Sequence, residues 1–98
     1  MSSNIVIITR HPALVAFLKD YLDPTLEVEV ISHATPELIR GRDVYGVLPL
    51  NLACLARSVT TVDMDVPADR RGTELSLSDI RKFYRGMSTY TITKLEEA

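Results

Sequence analysis

Ile5-Val6-Ile7-Ile8-Thr9, entered from Asn4 and followed at once by Arg10-His11-Pro12, is an unbroken β-branched run that stops at a helix-starting proline. A strand apolar on both faces belongs in the middle of a parallel sheet covered on both sides. Proline suits the first turn of a helix, where its missing N–H would have no partner anyway. Leu14, Phe17, Leu18, Tyr21 and Leu22 then recur at helical spacing until Asp23-Pro24 ends the pattern. A buried strand leading straight into an amphipathic helix sets the frame for the rest of the chain.

Glu27, Val28, Glu29 and Val30 alternate acid with apolar residue, which predicts a half-exposed strand, Glu27 to Ile31, near a sheet edge. The polar stretch Ser32 to Arg42, with His33, Pro36 and Gly41, has room for one short helical turn. Asp43 to Val47 reads as a short strand. Leu48-Pro49 opens a second helix, Leu50 to Arg57, apolar on nearly every side and so expected to be buried, with Cys54 as small core filler. Val59 to Met64 is a fourth strand, and Asp65 to Leu75 a charged loop. Ser76-Leu77-Ser78-Asp79 reads as an N-cap with an acid three residues on. Leu77, Ile80, Phe83 and Tyr84 form the inner stripe of that third helix, and Gly86 suits a left-handed stop. Ser88 to Ile92 is the last strand, and 93–98 a polar tail. The order strand-helix-strand-strand-helix-strand-helix-strand predicts one α/β domain over residues 1–98, a Rossmann-like, mostly parallel sheet flanked by helices.

The bulk numbers agree. Ninety-eight residues, 46% hydrophobic and 24% charged, suit one globular core. That core is thin, so a homodimer is a fair expectation. A formal charge of −2 argues against a protein that coats long nucleic acid, which needs a broad basic field. With Cys54 the only cysteine, neither an internal disulfide nor a cysteine-based zinc cluster can form. Met1-Ser2-Ser3-Asn4 lacks the features of a signal peptide, and no run approaches the roughly 20 apolar residues of a membrane span. The expected location is the cytoplasm.

In open α/β sheets, ligands bind beyond the carboxyl ends of the strands. That rule selects Thr9, Arg10 and His11 after the first strand. After the third it selects Gly46, Val47, Leu48, Pro49 and Asn51, and after the fourth Asp63, Asp65, Arg70 and Arg71. Helix amino termini at two of these loops favour phosphate, and arginine supplies a forked donor for its oxygens. An anionic ligand is the reading of this convergence. Each residue also has a plainer reading: His11 as a helix cap, Arg10 paired with Asp63 or Asp65, Arg70-Arg71 as a solvated turn, His33 as simply exposed. Asp63 and Asp65 on one strand face hint at a metal, but structural pairing with arginine fits better without a third ligand. No P-loop, dinucleotide-binding glycine pattern or nucleophile elbow is present, and no cofactor or metal is expected.

Thr9-Arg10-His11-Pro12, then Gly41-Arg42-Asp43-Val44-Tyr45-Gly46-Val47-Leu48-Pro49-Leu50-Asn51-Leu52-Ala53, then Asp65 to Leu75 with Arg70-Arg71-Gly72-Thr73-Glu74-Leu75, occur in an order that resembles a known family. The chain is similar to the small ancillary proteins of type III CRISPR loci, the CARF-like ring nucleases. The resemblance implies a two-fold dimer that holds a cyclic oligoadenylate, cyclic tetra-adenylate above all, and cuts it without metal to switch off antiviral signalling. It makes Arg10, His11, Asn51, Arg70 and Arg71 candidate site residues; we assign Arg10, His11 and Arg71 to catalysis, and the strand-end rule adds Thr9, Gly46, Leu48, Pro49 and Asp65 to Asn51 and Arg70 as ligand contacts. The related viral enzymes use a histidine after a central strand, where this chain has Gly46-Val47-Leu48-Pro49, so that scheme does not transfer. Among the candidates, only the His11 imidazole suits proton transfer near neutral pH. Two other functions stay open: a module that sequesters the nucleotide uncut, and a protein-interaction adaptor that uses the sheet only as scaffold.

Overall fold

The sheet grows outward in both directions from the β-branched run. The computed structural model describes residues 4–97; Met1 to Ser3 and, in the predicted tail, Ala98 lie outside them. Strand β1 (Ile5–Ile8) pairs in parallel with β2 (Val28–Ile31) on one side and β3 (Asp43–Gly46) on the other. Beyond β3 lies β4 (Ser58–Met64), also parallel, and then β5 (Tyr84–Tyr90), antiparallel to β4. The order β2-β1-β3-β4-β5 puts β1 in the interior, with Val6 and Ile7 both at 0% exposure. The chain steps from β1 to β2, then crosses back over β1 to reach β3, so its winding reverses between β1 and β3. The result is a five-stranded, mostly parallel α/β sheet flanked by helices, consistent with a Rossmann-like arrangement.

Helix α1 (Pro12–Tyr21) lies on one face, where Leu18 and Leu22 enclose Ile7 with Tyr45 and Val62 alongside. Helix α4 (Leu77–Phe83) packs beside it, and the Phe17 and Tyr84 rings meet at 5.0 Å. Right-handed crossovers put α2 (Pro36–Ile39) and α3 (Leu50–Ala53) on the opposite face, where Ile39 and Ala53 are buried. Residues next to Ile7 and Tyr45 in sequence, Val6 and Val44, point to that second face by the alternation of a strand. Both are fully buried. No helix among the described residues is long and apolar enough to cross a membrane.

Four expectations need correction. Helix α3 stops at Ala53 and is not a buried helix: Leu50 is 75% exposed and only Ala53 is buried. Its continuation is taken up by β3's entry, where Leu55 O accepts from Gly41 N–H and Arg57 N–H donates to Arg42 O. Cys54, half-buried, caps the helix with its thiol toward Asn51 O at 3.4 Å and fills no core. Helix α4 ends at Phe83 with no glycine stop; Tyr84 passes directly into β5, and Gly86 sits within that strand opposite Asp63. The β2 edge is where the alternation put it, but its faces are not, since Val30 is exposed while Glu29 is half-buried through Arg42 at 3.1 Å.

Candidate functional site

Because β1, β3 and β4 run parallel, their carboxyl ends share one edge of the sheet. Thr9 N–H donates to Ile31 O at 3.3 Å and so extends the β1–β2 ladder by one step. The Thr9 hydroxyl then accepts from His11 N–H at 3.1 Å, a local turn that swings the chain into α1. His11 occupies the N-cap position, and its carbonyl takes the N–H groups of Leu14 and Val15. Its imidazole makes no capping hydrogen bond and is exposed. His11 is thus a helix cap, as its plainer reading has it, but through its backbone, which leaves the imidazole uncommitted to the helix end.

Across from this turn, Gly46 closes β3 at φ 151°, and a Cβ there would overlap the Ile8 carbonyl oxygen. Glycine lets the two strand ends approach at the point where the winding reverses. Between them opens a cleft of about 330 Å³, lined by Thr9, Arg10 and His11 on one side, Gly46 and Val47 on the other, with Val62 and Met64 behind. A smaller cavity of about 120 Å³ shares His11, Leu14 and Met64 with the cleft and continues to Thr73, Leu75 and Ile80.

Seven of the eight arginines fall into two groups. Arg42, Arg57, Arg70, Arg81 and Arg85 face carboxylates at 2.6–3.7 Å. Arg10 instead meets the His33 ring, Nη2 to Nδ1 at 3.5 Å, and Arg71 donates from Nε to Val66 O at 3.3 Å. Neither is held by a carboxylate among the described residues. Arg10 does not pair with Asp63 or Asp65: Ser88 and Thr61 donate to Asp63, and Arg85 faces Asp65 at 3.7 Å. Asp65 also lies one residue past the end of β4, where its N–H donates to Phe83 O at 2.9 Å.

Arg70 is no solvated turn. It sits at the end of a single 3-10 turn, Ala68–Arg70, donates to Asp79 at 2.6 Å and lies over the Phe83 ring at 5.9 Å. Asp79 completes a capping box with Ser76. The Ser76 N–H above all, aided by the Ser76 hydroxyl and the Arg70 guanidinium, holds the Asp79 carboxyl below its ordinary pKa against an opposing desolvation effect. Leu48 and Pro49 come after Gly46 and Val47 and lead into α3, with Pro49 at its N-cap. Asn51 lies apart, in a cavity of about 290 Å³ between α3 and Ile92 to Lys94. The cleft thus brings together Thr9, Arg10, His11 and Gly46 and leaves Leu48, Pro49, Asn51, Asp65, Arg70 and Arg71 outside its lining. His33 is the neighbour that sequence reasoning misses. It stands just beyond the carboxyl end of β2, so the strand-end rule selects it once the edge strand is included.

A family model described as "Putative CRISPR-associated protein (Cas_VVA1548)" matches residues 6–93. No curated protein and no solved structure matches the chain.

Proposed function

The chain belongs to this CRISPR-associated family, and from that premise we propose that it binds a cyclic oligoadenylate, most naturally cyclic tetra-adenylate, as a homodimer and cleaves it without metal, ending antiviral signalling. One observation carries the reading. The cleft at the reversal of winding is bordered by Arg10 and His11, whose side chains take no part in a salt bridge or helix cap among the described residues. An arginine-bearing crevice at that position is where an α/β sheet accepts a phosphate-bearing ligand.

The reaction is an internal transfer. A ribose 2′-oxygen attacks its own 3′-phosphorus, the bond to the 5′-oxygen of the next nucleotide breaks, and the ring opens. The 2′-hydroxyl loses its proton and the leaving 5′-oxygen gains one, which yields a 2′,3′-cyclic phosphate and a 5′-hydroxyl. Arg10 or Arg71 stabilises the added negative charge, and His11 serves proton transfer.

The test is labelled cyclic tetra-adenylate with excess protein in EDTA. Linear product is expected, and His11→Ala should slow single-turnover cleavage roughly 100-fold or more. Undiminished cleavage by His11→Ala removes the proton-transfer role. Binding without linearisation leaves a sequestering module, and no binding at all returns the adaptor.

A further inference from the structure

Arg10 lines the cleft, and its guanidinium also meets the His33 imidazole beyond the end of the neighbouring strand, at 3.5 Å. We infer that His33 is a positioning residue of this cleft, which anchors the Arg10 guanidinium for a ligand phosphate; the inference rests on the function proposed above. The backbone fixes the meeting. Ile8 pairs with Ile31 across the β1–β2 ladder, and the Thr9 N–H to Ile31 O bond carries that register to the very end of both strands. Arg10 and His33 therefore leave adjacent strand ends at a set spacing.

The chemistry of the contact is one-directional. A guanidinium has donors only, so the imidazole nitrogen facing it must accept, and the ring proton then sits on Nε2. Arg42, Arg57, Arg70, Arg81 and Arg85 each face a carboxylate, which offsets the charge it holds. A neutral imidazole restrains Arg10 and leaves its positive charge, with its remaining donors, for an anion. An exposed arginine without an anchor would be spread over many rotamers, only some of which present the fork to the cleft.

The experiment is a double-mutant cycle on cyclic tetra-adenylate affinity, with Arg10→Ala, His33→Ala, both together, and His33→Asn, whose side-chain oxygen takes the place of Nδ1. His33→Ala should weaken binding about tenfold. His33→Asn should retain most of the affinity, and His33→Ala should change nothing once Arg10 is alanine. In the free protein, ring nitrogen spectra should show His33 protonated at Nε2, with that preference lost in Arg10→Ala. A His33→Ala protein that binds like wild type overturns this inference alone, as does an equal loss in the Arg10→Ala background. A wild type that does not bind the nucleotide overturns the functional reading and this inference with it.

Discussion

At Gly46 the chain leaves β3 with φ 151° and no room for a methyl group beside the Ile8 carbonyl. Gly72 also has a positive φ, 81°, but nothing lies within 4 Å of where its Cβ would be. The pair separates backbone strain from overlap. Gly72→Ala should cost about 1 kcal/mol for the left-handed conformation alone. Gly46→Ala adds an overlap between packed strands, and its cost should exceed that by about 1–3 kcal/mol. Urea unfolding midpoints compare the two, and equal losses would mean that β1 and β3 do not approach this closely. Sequence places Gly46 among the ligand contacts but holds no sign of this packing role, because a close approach between strands depends on residues far apart in the chain. His33 is hidden for the same reason. Its significance comes from Arg10, 23 positions earlier, and only the β1–β2 pairing brings the two together.

Among the elements, α4 shows how unevenly local signals speak. Its start is legible because a capping box is a local device: Asp79 N–H donates to the Ser76 hydroxyl and Ser76 N–H to the Asp79 carboxylate, both at 3.1 Å. Its end is not, because the antiparallel partner β4 draws Tyr84 into a strand ahead of the glycine that suited a stop. The same competition shortens α3, whose apolar pattern promises burial that the backbone bonds of residues 55–57 to β3's entry do not allow. Ser76→Ala should lower stability by about 1 kcal/mol. Asp79 adds a pH signature. Its folded pKa lies below the ordinary 3.8, so the stability it brings is fully present above that value and is lost as pH falls through the folded pKa. Asp79→Asn should therefore be less stable than wild type near neutrality, with the gap narrowing at pH values below 3.8. Chemical denaturation across that range reads it, and a gap that stays constant would mean the carboxylate charge plays no part in holding the helix start or Arg70.

For the molecule as a whole, composition and layout point in opposite directions. Eleven basic and thirteen acidic side chains leave a net −2, which read alone discourages the coating of long nucleic acid and offers no sign of a site for a small anion. Yet five arginines are taken up by carboxylates, while Arg10 and Arg71 come after the carboxyl ends of β1 and β4 on one edge of the sheet without such a partner among the described residues. The sheet itself is legible from the β-branched run and the helices between strands. The order β2-β1-β3-β4-β5, which creates the cleft, is not, since strand neighbours are set by crossovers and not by local pattern. A local positive edge on a negative protein predicts attraction that salt screens over a Debye length of about 10 Å at 0.1 M and about 3 Å at 1 M. Affinity for cyclic tetra-adenylate should fall over that range, and more gently for Arg10→Ala and for Arg71→Ala. Arg81, held by Asp20 at 2.9 Å on the helical face, provides the control: Arg81→Ala should leave the slope as it is. If Arg81→Ala flattens the salt dependence as much as Arg10→Ala does, the ligand responds to overall charge, and the strand-end edge has no special hold on it.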